Sequence, residues 1–319
     1  MDALSDVLRV VGLRGAILLE ARFRAPWCVT SSISAEHCKP YMDSPAHVIS
    51  YHYVVEGECI AIADGDDPCV LCTGDIVLIP RNSTHKIGSR LDMPAISSAD
   101  LVQPANGTGV LHIDHGGDGA ECRLICGLLG GDAQLQPLIA TLPAMMKMTV
   151  RDTPGGEWIS QSFRFGAHQI ARADPGAATI MSRMSELLFV EALRRYLATM
   201  PEEHTGFLAG LRDQQIGKAL ALLHTQVSRE WTAEELASTV NLSRSAFAER
   251  FTLLMGQPPM KYLTYWRMQV AAQKLREGRL TIGQIAFDVG YESEAAFSRA
   301  FKREVGVPPA TWRRNWTVN

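Results

Sequence analysis

Short apolar stretches separated by turn residues fill the first part of the chain. Between residues 45 and 130 the stretches are HVISYHYVV, CIAIA, CVLC, DIVLIP, GVLHID and CRLICGLL. Clusters of Gly, Asp, Asn and Pro separate them, and Gly65 in ADGDDP suits a hairpin turn because glycine readily adopts a positive φ. Short strands at such spacing are typical of a sandwich or barrel. We therefore predict an antiparallel β-barrel within residues 1–132.

A helical spacing of apolar residues begins near Ala133. The segments AQLQPLIATLPAMMKM and GAATIMSRMSELLFVEALRRYLATM carry apolar residues three and four positions apart, which predicts helices. The second segment has a wide apolar face formed by Ile180, Met184, Leu187, Leu188, Val190, Leu193, Tyr196 and Leu197. This face can pack on the barrel or pair with a second subunit, and the pattern leaves both open. We assign residues 133–205 to a helical linker and dimerisation segment, and residues 206–319 to an all-α domain.

A sequence repeat lies within this last part of the chain. VNLSRSAFAERFTLLMGQPP at 240–259 and VGYESEAAFSRAFKREVGVPP at 289–309 share apolar positions, a glycine and two prolines. Leu236, Ala237 and Val240 match Ile285, Ala286 and Val289 at an offset of 49, and Phe247, Phe251, Gly256, Pro258 and Pro259 match Phe297, Phe301, Gly306, Pro308 and Pro309 at an offset of 50. The second copy therefore has one additional residue in its turn.

Each copy has the pattern of a helix, a tight turn and a second helix. The residues suited to start these helices are Thr232, Ser243, Thr281 and either Glu292 or Ser293. Glu235, three residues after the first of them, completes a capping-box pattern, and a glycine ends the second helix of each copy. The repeat therefore predicts two helix-turn-helix units.

Two such units are suited to double-stranded DNA, because an α-helix fits the major groove. Joined by PMKYLTYWRMQVAAQKLREG, they would hold two recognition helices in successive grooves, about 34 Å apart. One unit is also compatible with an ordinary helical bundle, but two with matching glycines and prolines favour DNA binding. The charge agrees: from Asp213 onward there are 14 Lys and Arg against 10 Asp and Glu, whereas the preceding residues hold 17 and 24.

The same region resembles the DNA-binding domain of AraC/XylS-type bacterial regulators. The resemblance covers about residues 213–316 and is carried by SRSAFAERF, PPMKYLTYWRM, IAFDVGYESEAAFSRAFKREVGVPP and WRR. It implies that bases are read by exposed positions of the two recognition helices, which are Arg244, Ser245, Ala248 and Glu249, and then Glu294, Ala295, Ser298 and Arg299. We expect Arg299 to contact a guanine. The expected phosphate contacts, if exposed, are Arg250, Arg267 and Lys302.

The first part of the chain resembles a cupin, a small β-barrel. YVVEGECIAI and GDIVLIPRNSTHKIG are similar to its two halves. The four usual metal positions of cupins fall on Asp43, Pro45, Ser50 and His85, so three of the four are altered. With HYVVEGEC, SELLFVEALRRYL and GFLAGLRDQQIGKAL, the layout resembles regulators of the same family that carry a cupin sensor. The altered positions argue against cupin oxygenase chemistry.

A shifted set of ligands is an alternative. His52 lies on the same strand face as the position of Ser50, and it could meet His85 inside the barrel. A cysteine or an acidic residue could complete a tetrahedral site for a divalent metal such as zinc. His47 is nearby in sequence, and Cys69 and Cys72 have CxxC spacing. Alternatively, the cysteines are small buried apolar residues and the histidines line a ligand cavity. All seven cysteines precede residue 130, so any metal or redox chemistry is expected in the barrel.

These observations favour a DNA-binding transcription regulator that is not an enzyme and has no certain cofactor. A small molecule or ion in the cupin would be its effector, and a homodimer and RNA polymerase are further expected partners. The alternatives are a metal- or redox-sensing regulator and a cupin metalloenzyme with a DNA-binding tail. The chain lacks a long uncharged apolar run and begins without the pattern of a signal peptide, so we expect a cytoplasmic location and no membrane contact.

Overall fold

The chain folds into two compact units in the computed structural model. One unit comprises residues 13–199, and the other combines residues 1–12 with residues 200–319. The structure describes residues 3–11, 13–38, 45–63, 65–103, 111–132, 135–150, 156–172, 174, 176–201 and 204–317. The predicted fold class, a sheet-rich part and an all-α part, is confirmed. The segment predicted as a helical linker, residues 133–205, instead contains the strand Met146–Thr149 and belongs up to residue 199 to the first unit, because that strand pairs within its sheet. The sequence pattern had grouped residues 1–12 with the barrel, whereas the contacts group them with the C-terminal helices.

Eleven strands and fourteen helices are assigned within the described residues. The strands are β1 (Arg14–Arg24), β2 (Cys28–Ser31), β3 (His47–Glu56), β4 (Glu58–Ala63), β5 (Cys69–Cys72), β6 (Asp75–Ile79), β7 (His85–Gly88), β8 (Ile96–Ser97), β9 (Leu111–Gly116), β10 (Glu121–Gly131) and β11 (Met146–Thr149). The helices are α1 (Ala3–Val11), α2 (Ala35–Cys38), α3 (Ser98–Leu101), α4 (Gln136–Ile139), α5 (Gly156–Ala171), α6 (Ala177–Thr199), α7 (Phe207–Arg212), α8 (Gln214–Thr225), α9 (Ala233–Thr239), α10 (Arg244–Met255), α11 (Pro259–Glu277), α12 (Ile282–Asp288), α13 (Glu294–Val305) and α14 (Pro309–Thr317).

The strands form two sheets that pack face to face. One has the order β11-β6-β3-β10-β1-β9 and the other has the order β5-β4-β7-β2-β8. Ala21 and Val54 of the first sheet share one hydrophobic core with Ala61 and Ile87 of the second. The pairs β1–β9 and β2–β8 are parallel, although we predicted an antiparallel barrel. The chain reaches β8 and β9 through longer connections, and only a tight hairpin imposes antiparallel pairing.

Helix α6 packs on the first sheet through strand β1. A side chain at Gly15 would place its Cβ 2.5 Å from the Cβ of Ser185, so glycine permits this close approach. The hydroxyl groups of Ser185 and Tyr51 are hydrogen-bonded at 2.7 Å. Ile180 and Leu187, seven residues apart on α6, remain exposed. One face of α6 therefore packs on its own sheet, and a second apolar stripe does not.

The C-terminal unit contains both predicted helix-turn-helix pairs, α9–α10 and α12–α13. Thr232 and Thr281 form complete capping boxes with Glu235 and Gln284, respectively. A left-handed glycine ends α10 and α13, at Gly256 and Gly306. Helix α11 joins the two pairs, and α1 packs against α8 and α11. No helix among the described residues is long and apolar enough to cross a membrane.

Candidate DNA interface and effector cavity

The recognition helices α10 and α13 begin in the same way. Ser243 and Ser293 are their N-caps, and each Oγ accepts a hydrogen bond of 3.2 Å from the backbone N–H three residues later. Such a cap satisfies one of the free donors at a helix start. Of the two residues that the sequence offered for the start of α13, Glu292 and Ser293, the serine is therefore the cap. Both helices bury phenylalanines on one face and leave the opposite face exposed.

Arg267, which was also predicted to contact DNA, lies on α11, and the other ten predicted residues lie on these two recognition helices. Eight of them are exposed: Arg244, Ser245, Glu249, Arg250, Glu294, Ala295, Arg299 and Lys302. The remaining two, Ala248 and Ser298, are half-buried. At the offset of 50 that relates the helices, Arg244 matches Glu294, and Glu249 matches Arg299. The two faces thus carry opposite charges at two matched positions.

Two predicted phosphate contacts are engaged within the domain. Arg250 donates to Oδ2 of Asp213 from Nε at 2.9 Å and from Nη2 at 2.6 Å, and Asp213 also caps α8. Arg267 is half-buried and donates to the carbonyl oxygens of Val227 and Arg229. Burial lowers the pKa of the Arg267 guanidinium. Arg267 was expected to contact phosphate only if it is exposed, and it is not, because its guanidinium group packs between elements of the domain. In the described part of the chain, Arg299 and Lys302 have no ion pair.

A chain of hydrogen bonds crosses the interior of the sheet-rich unit, residues 13–199. His52 lies between Cys126 and His85, with Nδ1 at 2.9 Å from Sγ of the cysteine and Nε2 at 2.7 Å from Nε2 of the other histidine. Nδ1 of His85 lies 2.9 Å from the carbonyl oxygen of Ser83. Since that oxygen can only accept, His85 donates to it, His52 donates to His85, and Cys126 donates to His52.

The pKa values agree with this direction of the chain. Burial, followed by the charge of His85, lowers the pKa of His52 well below its usual value. Burial also lowers the pKa of His85, and burial raises the pKa of the Cys126 thiol to about 12. At neutral pH both imidazoles are therefore uncharged and the thiol keeps its proton. Each member has the protonation state that its hydrogen bond requires.

The predicted metal ligands do not converge. His47 and His52 are an odd number of residues apart on β3, as are Cys69 and Cys72 on β5, so each pair has its side chains on opposite faces. No group of three or more His, Cys, Asp and Glu among the described residues could hold a metal ion. Two nitrogens on one tetrahedral zinc are about 3.3 Å apart. The two Nε2 atoms are only 2.7 Å apart, which is a hydrogen-bond distance and too short for two ligands of one zinc ion. The observed arrangement therefore does not fit the zinc site, which remains a prediction.

The four usual cupin positions are filled differently from a metal cupin. Asp43 lies outside the described residues. Ser50 is buried on β3, and His85 belongs to the hydrogen-bond chain. A cysteine was expected near the two histidines, but the sequence did not indicate that it is Cys126. It lies opposite His52 in the β3–β10 pairing, and no local pattern reveals the register between strands so far apart in sequence.

An apolar cavity adjoins the hydrogen-bond chain. Its volume is about 70 Å³. That is several times the space that one water molecule needs. Apolar residues from β1, β2, β9 and β10 dominate the lining, which includes Phe23, Val29, Ile113 and Leu124. His52 and Cys126 contribute to the wall, and none of the described lining residues is Lys, Arg, Asp or Glu.

The geometry thus combines a cupin unit enclosing a cavity with a helical unit carrying two exposed recognition helices. This defines a cupin-containing helix-turn-helix protein. A cupin family model matches residues 2–198, and a helix-turn-helix domain model matches residues 236–315.

Full-length relatives agree with both matches. The chain is 32% identical to an AraC-like transcription regulator of Streptomyces lividans over 100% of each chain. A similar regulator of Streptomyces antibioticus is 31% identical over 99% of each chain. The regulator AlkR of Acinetobacter baylyi is 29% identical over 98% of this chain and 99% of its own. The chain therefore belongs to the AraC-like transcription regulators, and it is a DNA-binding regulator with an N-terminal cupin domain.

Proposed function

We propose that both recognition helices read one bipartite DNA site, with α10 and α13 in successive major grooves. The observation that carries this proposal is that two serine-capped helices expose matched positions with different side chains. On α13, Arg299 supplies a fork for the O6 and N7 atoms of guanine. On α10, Arg244 supplies a second fork, five residues before the position that matches Arg299. Lys302, which is exposed, contributes a phosphate contact.

Selection of DNA fragments by the purified full-length protein tests this proposal. Two short conserved elements about 10 base pairs apart are expected, since two adjacent readers meet the same face of the duplex after one turn. The affinity should also fall steeply with salt, because phosphate contacts release counterions. A single element, or an affinity that does not change with salt, contradicts reading by both helices.

We also propose that the cavity binds the effector and that the effector is small, uncharged and largely apolar. An ionised ligand would lose hydration without an opposite charge to compensate it, which is costly in an apolar site. Of the titratable groups of the hydrogen-bond chain that reach the wall, His52 is neutral and Cys126 keeps its proton, so neither adds charge; His37 also lines the cavity. Ser31, Ser32 and Ser98 line the same cavity, and a serine hydroxyl group can form a hydrogen bond with a polar group of the ligand.

Straight-chain primary alcohols and carboxylates of equal length are suitable probes of this class. The alcohols should raise the melting temperature of the protein, because a ligand that binds only the folded state stabilises it. Ala99→Trp should abolish the shift, since Ala99 is exposed at the cavity and a large side chain there would obstruct it. Ala198→Trp, on an exposed position of α6, is the control. Equal shifts with the carboxylates contradict an uncharged ligand.

We further propose a homodimer formed through the exposed apolar stripes of α5 and α6. Trp158 and Phe165 are seven residues apart on α5, as are Ile180 and Leu187 on α6, and all four are exposed. Leu187→Glu should give a monomer by light scattering. Leu253→Glu, at an exposed leucine of the other unit, should not.

A chromosomal DNA target supports a cytoplasmic location, and contact with RNA polymerase stays a prediction.

A further inference from the structure

Arg267 lies on α11, the helix that joins the two helix-turn-helix units. Its Nε donates to the carbonyl oxygen of Val227 at 3.0 Å, and its Nη2 donates to that of Arg229 at 2.9 Å. These carbonyls belong to the turn between α8 and α9, immediately before the first unit. The planar fork of the guanidinium therefore holds the start of the first unit on α11.

The same side chain contacts the turn of the second unit. Its guanidinium carbon lies 5.8 Å from the ring centre of Tyr291, within reach of a cation–π interaction. Its Nη2 would lie only 2.7 Å from a Cβ at Gly290. Tyr291 packs edge-on against Phe297, the first buried phenylalanine of α13. The contact thus continues into the second recognition helix.

The turn between α8 and α9 also lies against the turn of the second unit, beside Arg267. A Cβ at Gly290 would lie 2.6 Å from the carbonyl oxygen of Ser228. Gly290 has a φ of 81°, and it matches Asn241 of the first unit, which has a φ of 59°. A side chain is therefore compatible with this left-handed position in the first unit, at Asn241, and is excluded from it in the second unit, at Gly290. The reason for the difference is that Arg267 and the carbonyl group of Ser228 occupy the space beside Gly290.

We propose that Arg267 is a positioning residue that fixes the distance and rotation between the two recognition helices, and so selects the spacing of the two DNA elements. One base pair changes the separation of two elements by about 3.4 Å and their rotation by roughly 35°. A rigid pair of readers tolerates neither change. This inference rests on the proposal that both helices read DNA, and it adds the residue that sets the spacing.

The test uses duplexes carrying the two elements that the wild-type protein selects. The spacer is shortened or lengthened by about one and two base pairs, and each element is also presented alone. The wild-type protein should prefer its own spacing by about tenfold or more. Arg267→Lys keeps the charge but lacks the fork, and it should reduce that preference about fivefold. Its affinity for each single element should stay within about twofold of wild type.

Arg313→Lys is the matched control. Its Nη2 donates to the carbonyl oxygen of Leu280 at 2.6 Å, a similar bond that lies within the second unit. It should leave the spacing preference unchanged. Gly290→Ala disturbs the same contact from the opposite side and should reduce the preference as Arg267→Lys does. It decides the question if the lysine variant does not fold.

The outcomes separate this inference from the proposed function. A wild-type protein that binds single elements as tightly as paired ones contradicts reading by both helices. A wild-type preference that both Arg267→Lys and Gly290→Ala retain overturns the positioning role alone. Equal losses at every spacing and at single elements show that Arg267 contributes only to stability.

Discussion

The two helix-turn-helix units share one hydrogen-bond framework. Leu242 donates to the carbonyl oxygen of Ala237, and Tyr291 donates to that of Ala286, each at 2.9 Å. These bonds correspond at an offset of 49, whereas the caps Ser243 and Ser293 correspond at an offset of 50. The additional residue of the second unit is therefore Glu292, between the turn and the cap. The turn can therefore contain one additional residue while the hydrogen bonds before it and the helix cap after it are the same in both units.

The two units differ at residues that face solvent or a neighbouring part of the chain and do not belong to the hydrophobic core of the unit. Asn241 and Gly290 occupy the same left-handed position, but only the second is packed against another turn. Glu249 and Arg299 occupy matched positions on the exposed faces and have opposite charges. Buried positions repeat because both units fill the same interior, and exposed positions diverge because each unit has different neighbours.

The largest effects should come from the positions that repeat. Phe247 and Phe297 are both fully buried, so each change to alanine should lower the free energy of unfolding by about 3–5 kcal/mol. Denaturant unfolding followed by circular dichroism measures this. Phe287→Ala, at a side chain that is 62% exposed, should have a small effect. If one buried phenylalanine behaves like Phe287, the two cores are not equivalent.

The turn position should separate the units by a smaller amount. Gly290→Asn should lower the free energy of unfolding by about 1–3 kcal/mol, because the new side chain meets the carbonyl of Ser228. Asn241→Gly, the reverse exchange in the first unit, should change it by less than about 1 kcal/mol. Thermal and denaturant midpoints provide the measurement. Equal costs in both turns would falsify the packing argument.

The matched positions on the exposed faces should separate the units in DNA binding. Arg299→Ala should weaken binding to the selected site by about 1–3 kcal/mol and relax the preference at one base. Glu249→Ala removes a negative charge and should not weaken binding to random DNA. Fluorescence titrations with selected and random duplexes distinguish these effects. An equal loss on random DNA would make Arg299 a phosphate contact.

The smallest effects should distinguish free cations from engaged ones. Lys302→Ala should lower the slope of log affinity against log salt by about 1, because one phosphate contact is lost. Arg250→Ala should leave that slope nearly unchanged, since Asp213 already holds the guanidinium. Titrations at several salt concentrations provide both slopes. A lower slope for Arg250→Ala would show that DNA displaces Asp213 from its ion pair.

Much of the helical domain was predictable from the sequence because its signals are local. Caps, stop glycines and the phenylalanine spacing lie within a few residues of one another, and the structure places them as the repeat predicts. The histidine contact was predicted only in part. His52 and His85 were expected to meet, but Cys126 was not expected beside them, because its position depends on pairing between distant strands.

The sequence by itself determined the two units, their helices and which side of each recognition helix is exposed, since hydrophobic spacing and capping act over short distances. Only the tertiary structure decided which charged residues are free and which are engaged. Arg250, Arg267 and Lys302 look alike as candidates along the chain. Their partners lie 37 or more residues away or, for Lys302, are absent among the described residues. A contact between residues so far apart in sequence depends on how the helices pack, and the local sequence pattern does not predict it.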